Sequence, residues 1–181
     1  DARKIFEKVL NAQCIKDKKI LIDADGINLL SNYFDKYCKQ DFKNVILTPH
    51  PKEAARLLKT SVENILSDIE ISAKKITEKY NCITVLKTHK TVVCSPDGRF
   101  YTNTTGNNSM AKAGSGDVLA GMISGLIAQG ADLFEGACLG VCLHGLCGDL
   151  AKEKLTEYSV MAEDLISFIP NAISLYKNSK I

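Results

Sequence analysis

The chain lacks a paired-cysteine framework. Its seven cysteines are an odd number, and no two of them have C-x-x-C spacing, so the sequence favours neither a disulfide scaffold nor a zinc site. Free thiols are typical of a reducing compartment, and we therefore expect a cytoplasmic protein. The cysteines are Cys14, Cys38, Cys82, Cys94, Cys138, Cys142 and Cys147.

An excess of charge of one sign is also lacking. The formal net charge is +2, with both signs mixed along the chain, which gives no electrostatic reason to bind nucleic acid or an anionic membrane. No apolar run approaches the roughly 20 residues of a membrane span, and the charged start does not resemble a signal peptide. We expect neither nucleic acid nor a membrane as a partner.

Internal repeats, low-complexity segments and linkers are absent from the sequence, so we expect residues 1–181 to form a single domain. The chain opens with Asp1 rather than Met. We therefore expect that an N-terminal region is missing or that the chain is a fragment.

Short apolar runs alternate with helical patterns. Runs apolar on both faces predict buried parallel strands, at 19–24, 44–48 and 82–86. Gly26 is predicted to turn the chain, and Pro96-Asp97-Gly98 to join two antiparallel strands, 91–95 and 99–103. Helices are predicted at 27–34, 52–58, 62–80, 117–129, 132–150, 162–169 and 171–177. The alternation predicts an α/β fold with a mainly parallel sheet covered on both faces.

A glycine-bearing segment leads into the helix predicted at 117–129. Gly114 and Gly116 permit unusual backbone conformations where exposed amide N–H groups at a helix N-terminus can hold an anion. No Gly-Lys-Ser/Thr follows, so this is not a Walker loop. Taken alone, Asp117 could simply be an acid that the first turn of a helix favours.

The string Ala113-Gly114-Ser115-Gly116-Asp117 resembles the Gly-Ala/Thr/Ser-Gly-Asp signature of the ribokinase superfamily. This resemblance implies a three-layer α/β/α fold, incomplete here at the N-terminus. It also implies that Gly114, Ser115 and Gly116 form an anion hole for nucleotide phosphates. Asp117 would be the base that deprotonates the substrate hydroxyl, in line with the needs of phosphoryl transfer.

Three stretches resemble one family of this superfamily, the NAD(P)H-hydrate dehydratases. They are LIDADGINLL at 21–30, LTPHPKE at 47–53 and NSMAKAGSGDVLAG at 108–121. The resemblance implies the nucleotide-dependent dehydration of hydrated NADH or NADPH (NADHX or NADPHX), by phosphorylation of the ring hydroxyl and elimination of phosphate. ADP or ATP would be the co-substrate, with Mg²⁺ as cofactor, in a homo-oligomer, commonly a tetramer.

The same resemblance assigns binding residues. His50 and Asn28 would contact the hydrated dinucleotide, together with Asp117. A turn after the third strand would bind the nucleotide, and Lys87 would supply the positive charge. The turn comprises Lys87, Thr88, His89, Lys90 and Thr91. No metal ligands are assigned, and Glu53 could serve either the helix dipole or a metal environment. Taken alone, His89 and His144 are more simply structural or exposed residues, and Asp23 and Asp25 could cap or bond loops.

Three positions depart from the family pattern, in which Ser109, Ala113 and Lys52 are usually glycine. Alanine at 113 would cost on the order of 1 kcal/mol if the position needed a positive φ. Family members also carry a further βαβ region before the first of these motifs, and a partner segment would be needed to cover the strand edge.

Two other functions remain open. The first is a small-molecule kinase of the same superfamily, of the hydroxymethylpyrimidine or hydroxyethylthiazole type, which shares the anion hole and the aspartate. The second is a nucleotide-binding domain without catalytic activity. The Asp-Ala-Asp-Gly and Pro-His-Pro elements favour the dehydratase over the kinase.

Overall fold

The structure is a computed structural model that describes residues 2–12, 17–37 and 42–179. Cys14 and Cys38 lie outside these residues. The chain divides into two compact units. Unit 1 comprises Asp1–Thr88 and Val92–Tyr101, and unit 2 comprises His89–Thr91 and Thr102–Ile181. A single domain over the whole chain stays a prediction.

Unit 1 carries a mixed sheet with the strand order β1-β2-β3-β4-β5. The first three strands pair in parallel, with Ile20 opposite Val45 and Ile46 opposite Ile83, whereas β4 runs antiparallel to β3. The elements are α1 (Ala2–Asn11), β1 (Ile20–Ile22), α2 (Ala24–Tyr37), β2 (Val45–Leu47), α3 (Pro51–Leu58), α4 (Val62–Ser67), α5 (Ile69–Tyr80), β3 (Ile83–Leu86), β4 (Val92–Cys94) and β5 (Phe100–Thr102). The predicted alternation of strands and helices is confirmed.

The strands form because their side chains are apolar on both faces. Every residue of β2, β3 and β4 is buried, as expected for strands covered on both sides. Their side chains join those of the helices in one core that includes Leu30, Leu47, Leu57, Ile76 and Leu86. This core holds the strand ends, which carry the polar residues described below, in fixed positions.

Two boundaries in unit 1 differ from the prediction. Gly26 does not turn the chain but lies inside α2, where a Cβ would approach Ile22 Cγ2 to 2.8 Å. The glycine is needed there for close packing of the helix on the preceding strand. The helix predicted at 62–80 is two helices, because Asp68 takes an extended conformation and caps α5 by accepting from Ile71 N.

Unit 2 is helical. After a 3₁₀ turn at Asn108–Met110 come α6 (Ser115–Ala128), α7 (Leu133–Leu155), α8 (Ala162–Ser167) and α9 (Ile169–Asn178). A core of Leu143, Cys147, Ala151, Val160, Leu165 and Ala172 joins the last three helices. Helix α6 begins two residues before the predicted boundary, so that Asp117 is its third residue.

By length and composition alone, α7 could cross a membrane, contrary to the expectation from the sequence that no apolar run is long enough. An 18-residue window of the helix has a mean hydropathy of 1.3. Half of that window is buried inside the structure, and core helices of soluble proteins can be as long and as apolar. The finding therefore carries little weight for a membrane location.

Candidate functional site

The carboxyl ends of the three parallel strands lie at one edge of the unit 1 sheet, the edge where α/β proteins commonly bind ligands. Asp23 follows β1, and Lys87 follows β3. The Lys87 Nζ lies 2.7 Å from Asp23 Oδ1, and both side chains are mostly buried. The Thr48 Oγ1 donates to the Ile22 carbonyl, and Lys87 N donates to the Pro49 carbonyl at 2.8 Å. This edge is therefore held together by hydrogen bonds to backbone carbonyls and by the ion pair of Asp23 and Lys87.

His50 caps helix α3. Its Nδ1 accepts from the backbone N–H groups of Lys52 at 3.0 Å and Glu53 at 3.3 Å, while Glu53 Oε2 accepts from His50 N at 2.8 Å. The arrangement is a capping box in which an imidazole takes the usual place of a hydroxyl. Lysine at 52 does not disturb it, because only the backbone of Lys52 takes part. The His50 side chain stays 44% exposed, which leaves part of the ring for a ligand.

Asn28 lies in the second turn of α2. Its Oδ1 accepts from Arg56 Nη1 at 2.7 Å, and its Nδ2 contacts Asp25 Oδ1 at 3.5 Å. The sequence did not single out Arg56, since an arginine on an exposed helix face is common. The structure thus adds a guanidinium, a good anion binder, beside a predicted substrate contact.

The predicted nucleotide turn spans the boundary between the units. Lys87 and Thr88 belong to unit 1, whereas His89, Lys90 and Thr91 belong to unit 2. His89 and Lys90 are exposed; Thr91 is buried, and its carbonyl accepts from Asn103 N at 2.9 Å. The role of this turn stays a prediction.

The N-terminus of α6 in unit 2 has the form expected of an anion hole. Gly114 is the N-cap residue, with a φ of +88° and no side chain to cap the helix. In the part of the chain that the structure describes, the amides of Gly116 and Asp117 have no hydrogen-bond acceptor. Asp117 is exposed, and its carboxylate has no partner within the same described residues. Donors and a carboxylate are thus both available here.

The remaining member of the motif, Ser115, is buried, and its Oγ lies 3.4 Å from Nε2 of His144 on α7. Its N–H donates to the Lys112 carbonyl at 3.3 Å. His144 is buried, which agrees with a structural reading of that residue.

Two of the departures from the family pattern are easily accommodated in unit 2. Ala113 is not among the residues with positive φ, so the expected strain does not arise; Gly114 takes the left-handed conformation instead. Ser109 is buried, and its Oγ donates to Asn107 Oδ1 at 2.6 Å. The serine side chain therefore forms a hydrogen bond within the segment that precedes α6 and fits there without a clash.

Asp149 on α7 was not predicted. Its Oδ2 accepts from Gly106 N at 2.9 Å, and its Oδ1 accepts from Asn107 Nδ2 at 2.8 Å. The same segment packs closely on α7, since a Cβ at Gly145 would clash with Thr105 Oγ1. Asp149 thus anchors the polar segment that leads to α6. A lone aspartate in a helical pattern gives no sequence signal for such a role.

The predicted residues therefore form two sets, one in each unit. Unit 1 brings together Asp23 with Lys87, His50 with Glu53, and Asn28 with Arg56.

Over residues 2–12, 17–37 and 42–179, no group of three or more histidine, cysteine or acidic residues could hold a metal ion.

Comparison with known proteins identifies the family. The profile of the family described as NAD(P)H-hydrate dehydratase matches residues 1–171. The chain belongs to this family. It is 48% identical over 138 residues to an ADP-dependent (S)-NAD(P)H-hydrate dehydratase of Neisseria meningitidis, a match that covers 76% of this chain and 47% of that protein. The chain thus spans about half the length of this curated relative.

Solved structures agree. A ribokinase-like superfamily protein of Enterococcus faecalis is 31% identical with a TM-score of 0.81, over 97% of this chain and 58% of that one. An ADP/ATP-dependent NAD(P)H-hydrate dehydratase of Bacillus subtilis, co-crystallised with ATP and Mg²⁺, is 26% identical with a TM-score of 0.75, over 93% of this chain and 69% of that one. The expected ribokinase-like α/β fold is confirmed.

Proposed function

We propose that the chain carries the catalytic machinery for the nucleotide-dependent dehydration of NADHX and NADPHX. The observation that carries the proposal is the N-terminus of α6, where an exposed, unpartnered Asp117 carboxylate follows two amides without acceptors in the described part of the chain. Family membership supports this reaction over the small-molecule kinase. ADP is the donor named for the Neisseria relative, and both ADP and ATP are named for the Bacillus enzyme.

In the proposed first step, Asp117 takes the proton of the ring hydroxyl as that oxygen attacks the terminal phosphorus of the nucleotide. The bond from that phosphorus to the bridging oxygen breaks, and the shortened nucleotide leaves. Gly114 and Gly116, with Ser115 between them, form the anion hole that stabilises the charge of the transferred phosphoryl group.

In the second step, the carbon–oxygen bond of the phosphorylated ring breaks, and phosphate leaves with the bonding electrons. A proton leaves the neighbouring ring carbon, so that the ring double bond is restored. Phosphorylation makes this possible, because phosphate is a far better leaving group than hydroxide.

Binding is proposed to use the other predicted residues. Lys87, Thr88, His89, Lys90 and Thr91 would contact the nucleotide. His50 and Asn28 would contact the hydrated dinucleotide, with Arg56 as an added anion-binding group beside Asn28.

Mg²⁺ would be bound mainly by the phosphates of the nucleotide, because the described residues offer no cluster of protein ligands. Mg²⁺ keeps several waters and commonly takes one or two carboxylates together with substrate phosphates, and the exposed Asp25 offers one such carboxylate. A bound ion would offset the negative charge of the phosphates. A cytoplasmic location and a homo-oligomer stay predictions.

The test is to incubate the chain with NADHX, Mg²⁺ and either ADP or ATP, and to follow NADH by its near-ultraviolet absorbance. We expect nucleotide-dependent formation of NADH, lost in Asp117→Asn, with the better donor shown directly. Thermal stabilisation by nucleotide in both proteins would show that the variant is folded and binds.

A folded chain that binds nucleotide but forms no NADH would contradict the proposal. The same preparation would then be tested for phosphate transfer to hydroxymethylpyrimidine and hydroxyethylthiazole. Transfer to either compound would support the kinase, and binding without any transfer would support a non-catalytic domain.

A further inference from the structure

We infer that Glu53 is a positioning residue that keeps the proton of the His50 ring on Nε2, so that His50 donates a hydrogen bond to the substrate and does not take its proton. The inference deepens the proposed function, on which it rests for the identity of the ligand. It concerns the tautomer of one imidazole, which can be measured without activity.

The tautomer follows from the contacts of Nδ1. The backbone N–H groups of Lys52 and Glu53 both point at this atom, at 3.0 and 3.3 Å. An N–H can only donate, so Nδ1 must offer its lone pair. With a proton on Nδ1, the ring N–H and the two backbone N–H groups would be three donors facing one another without an acceptor, and the cap of α3 would be lost. The single proton of the ring therefore belongs on Nε2.

The Glu53 carboxylate supports the same tautomer through its contacts with the backbone N–H and the Nε2 of His50. Its side chain is only 6% exposed, and a buried carboxylate requires hydrogen-bond partners. Oε2 accepts from His50 N at 2.8 Å, and Oε1 lies 3.4 Å from His50 Nε2. Both oxygens thus face His50, which favours a positioning role for Glu53 over the metal role that the sequence had left open.

The distance of 3.4 Å is longer than a good N–H···O hydrogen bond. The Nε2–H is attracted towards Glu53 and is still able to donate elsewhere, on a side chain that is 44% exposed. The ligand chemistry that it suits is an acceptor oxygen of the hydrated dinucleotide. Because Nδ1 is occupied and Nε2 is protonated, His50 has no free lone pair with which to abstract a proton.

The first experiment measures the tautomer in ¹⁵N-labelled protein by long-range ¹H–¹⁵N correlation at neutral pH. The chain has only three histidines, and the signals of His50 are those lost in His50→Asn. We expect an unprotonated Nδ1 and a protonated Nε2 in the wild type. In Glu53→Gln the two backbone N–H groups still face Nδ1 but the carboxylate that faces Nε2 is lost, so we expect a measurable share of the Nδ1–H tautomer. A wild-type Nδ1–H tautomer, or an unchanged tautomer in Glu53→Gln, would overturn the inference whether or not the protein makes NADH.

The second experiment distinguishes the capping role of Nδ1 from the donor role of Nε2. Asparagine at 50 can place Oδ1 where Nδ1 lies and keep the cap, but it lacks a donor at the Nε2 position. We expect His50→Asn to raise KM for NADHX about tenfold, the scale of one lost hydrogen bond, with kcat nearly unchanged and the protein as stable as before. A hundredfold loss of kcat, the scale of a missing acid–base group, would overturn the inference.

Glu53→Gln should also raise KM without a comparable loss of kcat, because it acts through His50. Its matched control is Glu78→Gln, which changes an exposed acid on α5 of the same unit and should leave both constants unchanged. If the two glutamate variants behave alike, Glu53 has no positioning role.

Discussion

Lys87 Nζ and Asp23 Oδ1 lie 2.7 Å apart, joining the residues that follow the third and first strands of unit 1. The two side chains are only 20% and 15% exposed, so the pair is neither a surface pair nor a fully buried one. Removal of one partner leaves the other charge poorly solvated. We expect Asp23→Asn and Lys87→Met each to lower the free energy of unfolding by about 1–2 kcal/mol.

The measurement is urea unfolding of both single variants and of the double variant. We expect the double variant to lose less than the sum of the two, because the second change removes a charge that the first left unpaired. The exposed pair of Asp97 and Arg99 serves as the control: Asp97→Asn, Arg99→Met and the double variant should show a weaker coupling than positions 23 and 87, because water screens an exposed pair. Additive effects at positions 23 and 87 would mean that the pair does not form in solution.

Much of the unit 1 fold could be predicted, because its strands are short apolar runs and its helix starts carry clear signals. Pro51 begins α3 where expected. The role of Gly26 could not be predicted, because the 2.8 Å approach to Ile22 depends on how the helix packs on the strand. Likewise, the break at Asp68 depends on a cap that competes with a continuous helical pattern.

The motif residues of the site could be predicted, since their types and spacing are local. Their neighbours could not. Asp149 follows Gly106 by 43 positions, and Arg56 follows Asn28 by 28, so only the folded chain brings each pair together. The capping role of His50 was also missed, because histidine is not a usual N-cap residue.

A second prediction concerns the conformation of Gly114. Its φ of +88° is unfavourable for a residue with a Cβ, which would also lie 3.1 Å from Ala162 Cβ. We expect Gly114→Ala to lower the free energy of unfolding by about 1–2 kcal/mol and to weaken stabilisation by nucleotide. Denaturant unfolding and thermal shift with ADP or ATP measure the two effects.

The control for Gly114→Ala is Gly121→Ala in the same helix. Gly121 is exposed, and a Cβ there would have no atom within 4 Å. Alanine in a helix interior is about 0.5–1 kcal/mol better than glycine, so this variant should be more stable than the wild type. Destabilisation by both variants would show that the loss in Gly114→Ala does not come from the φ of Gly114.

A third prediction tests Asp149 as the anchor of the segment before α6. Asn at this position keeps the shape but has one acceptor for two donors, Gly106 N and Asn107 Nδ2. We expect Asp149→Asn to lower the free energy of unfolding by about 1–3 kcal/mol, because a donor is left unsatisfied. Amide hydrogen exchange of Gly106 should become faster.

Glu153→Gln on the exposed face of the same helix is the control. It should change the free energy of unfolding by less than about 0.5 kcal/mol, as is usual for surface substitutions. If Asp149→Asn matches this control, and Gly106 exchanges at the wild-type rate, the carboxylate does not anchor the segment.

A last prediction concerns pH and the buried thiols. Burial raises the pKa of Cys82 from 9.0 to about 12, so the folded protein keeps this proton where the unfolded chain loses it. Stability from this group is therefore fully present below pH 9 and is lost as the pH rises towards 12, by about 1.4 kcal/mol per pH unit. We expect the free energy of unfolding, measured by urea at several pH values, to fall above pH 9.

Cys82→Ala isolates this contribution, because the variant keeps every other group that titrates in the same range. Burial also raises the pKa of Cys94 to about 12 and that of Cys147 to about 11, so a slope should remain in the variant but be shallower. The absolute stability of Cys82→Ala will be lower at all pH values, since a buried sulfur is lost, and only the difference in slope decides. Equal slopes would mean that the Cys82 thiolate is tolerated in the folded protein or that the thiol stays protonated in the unfolded chain.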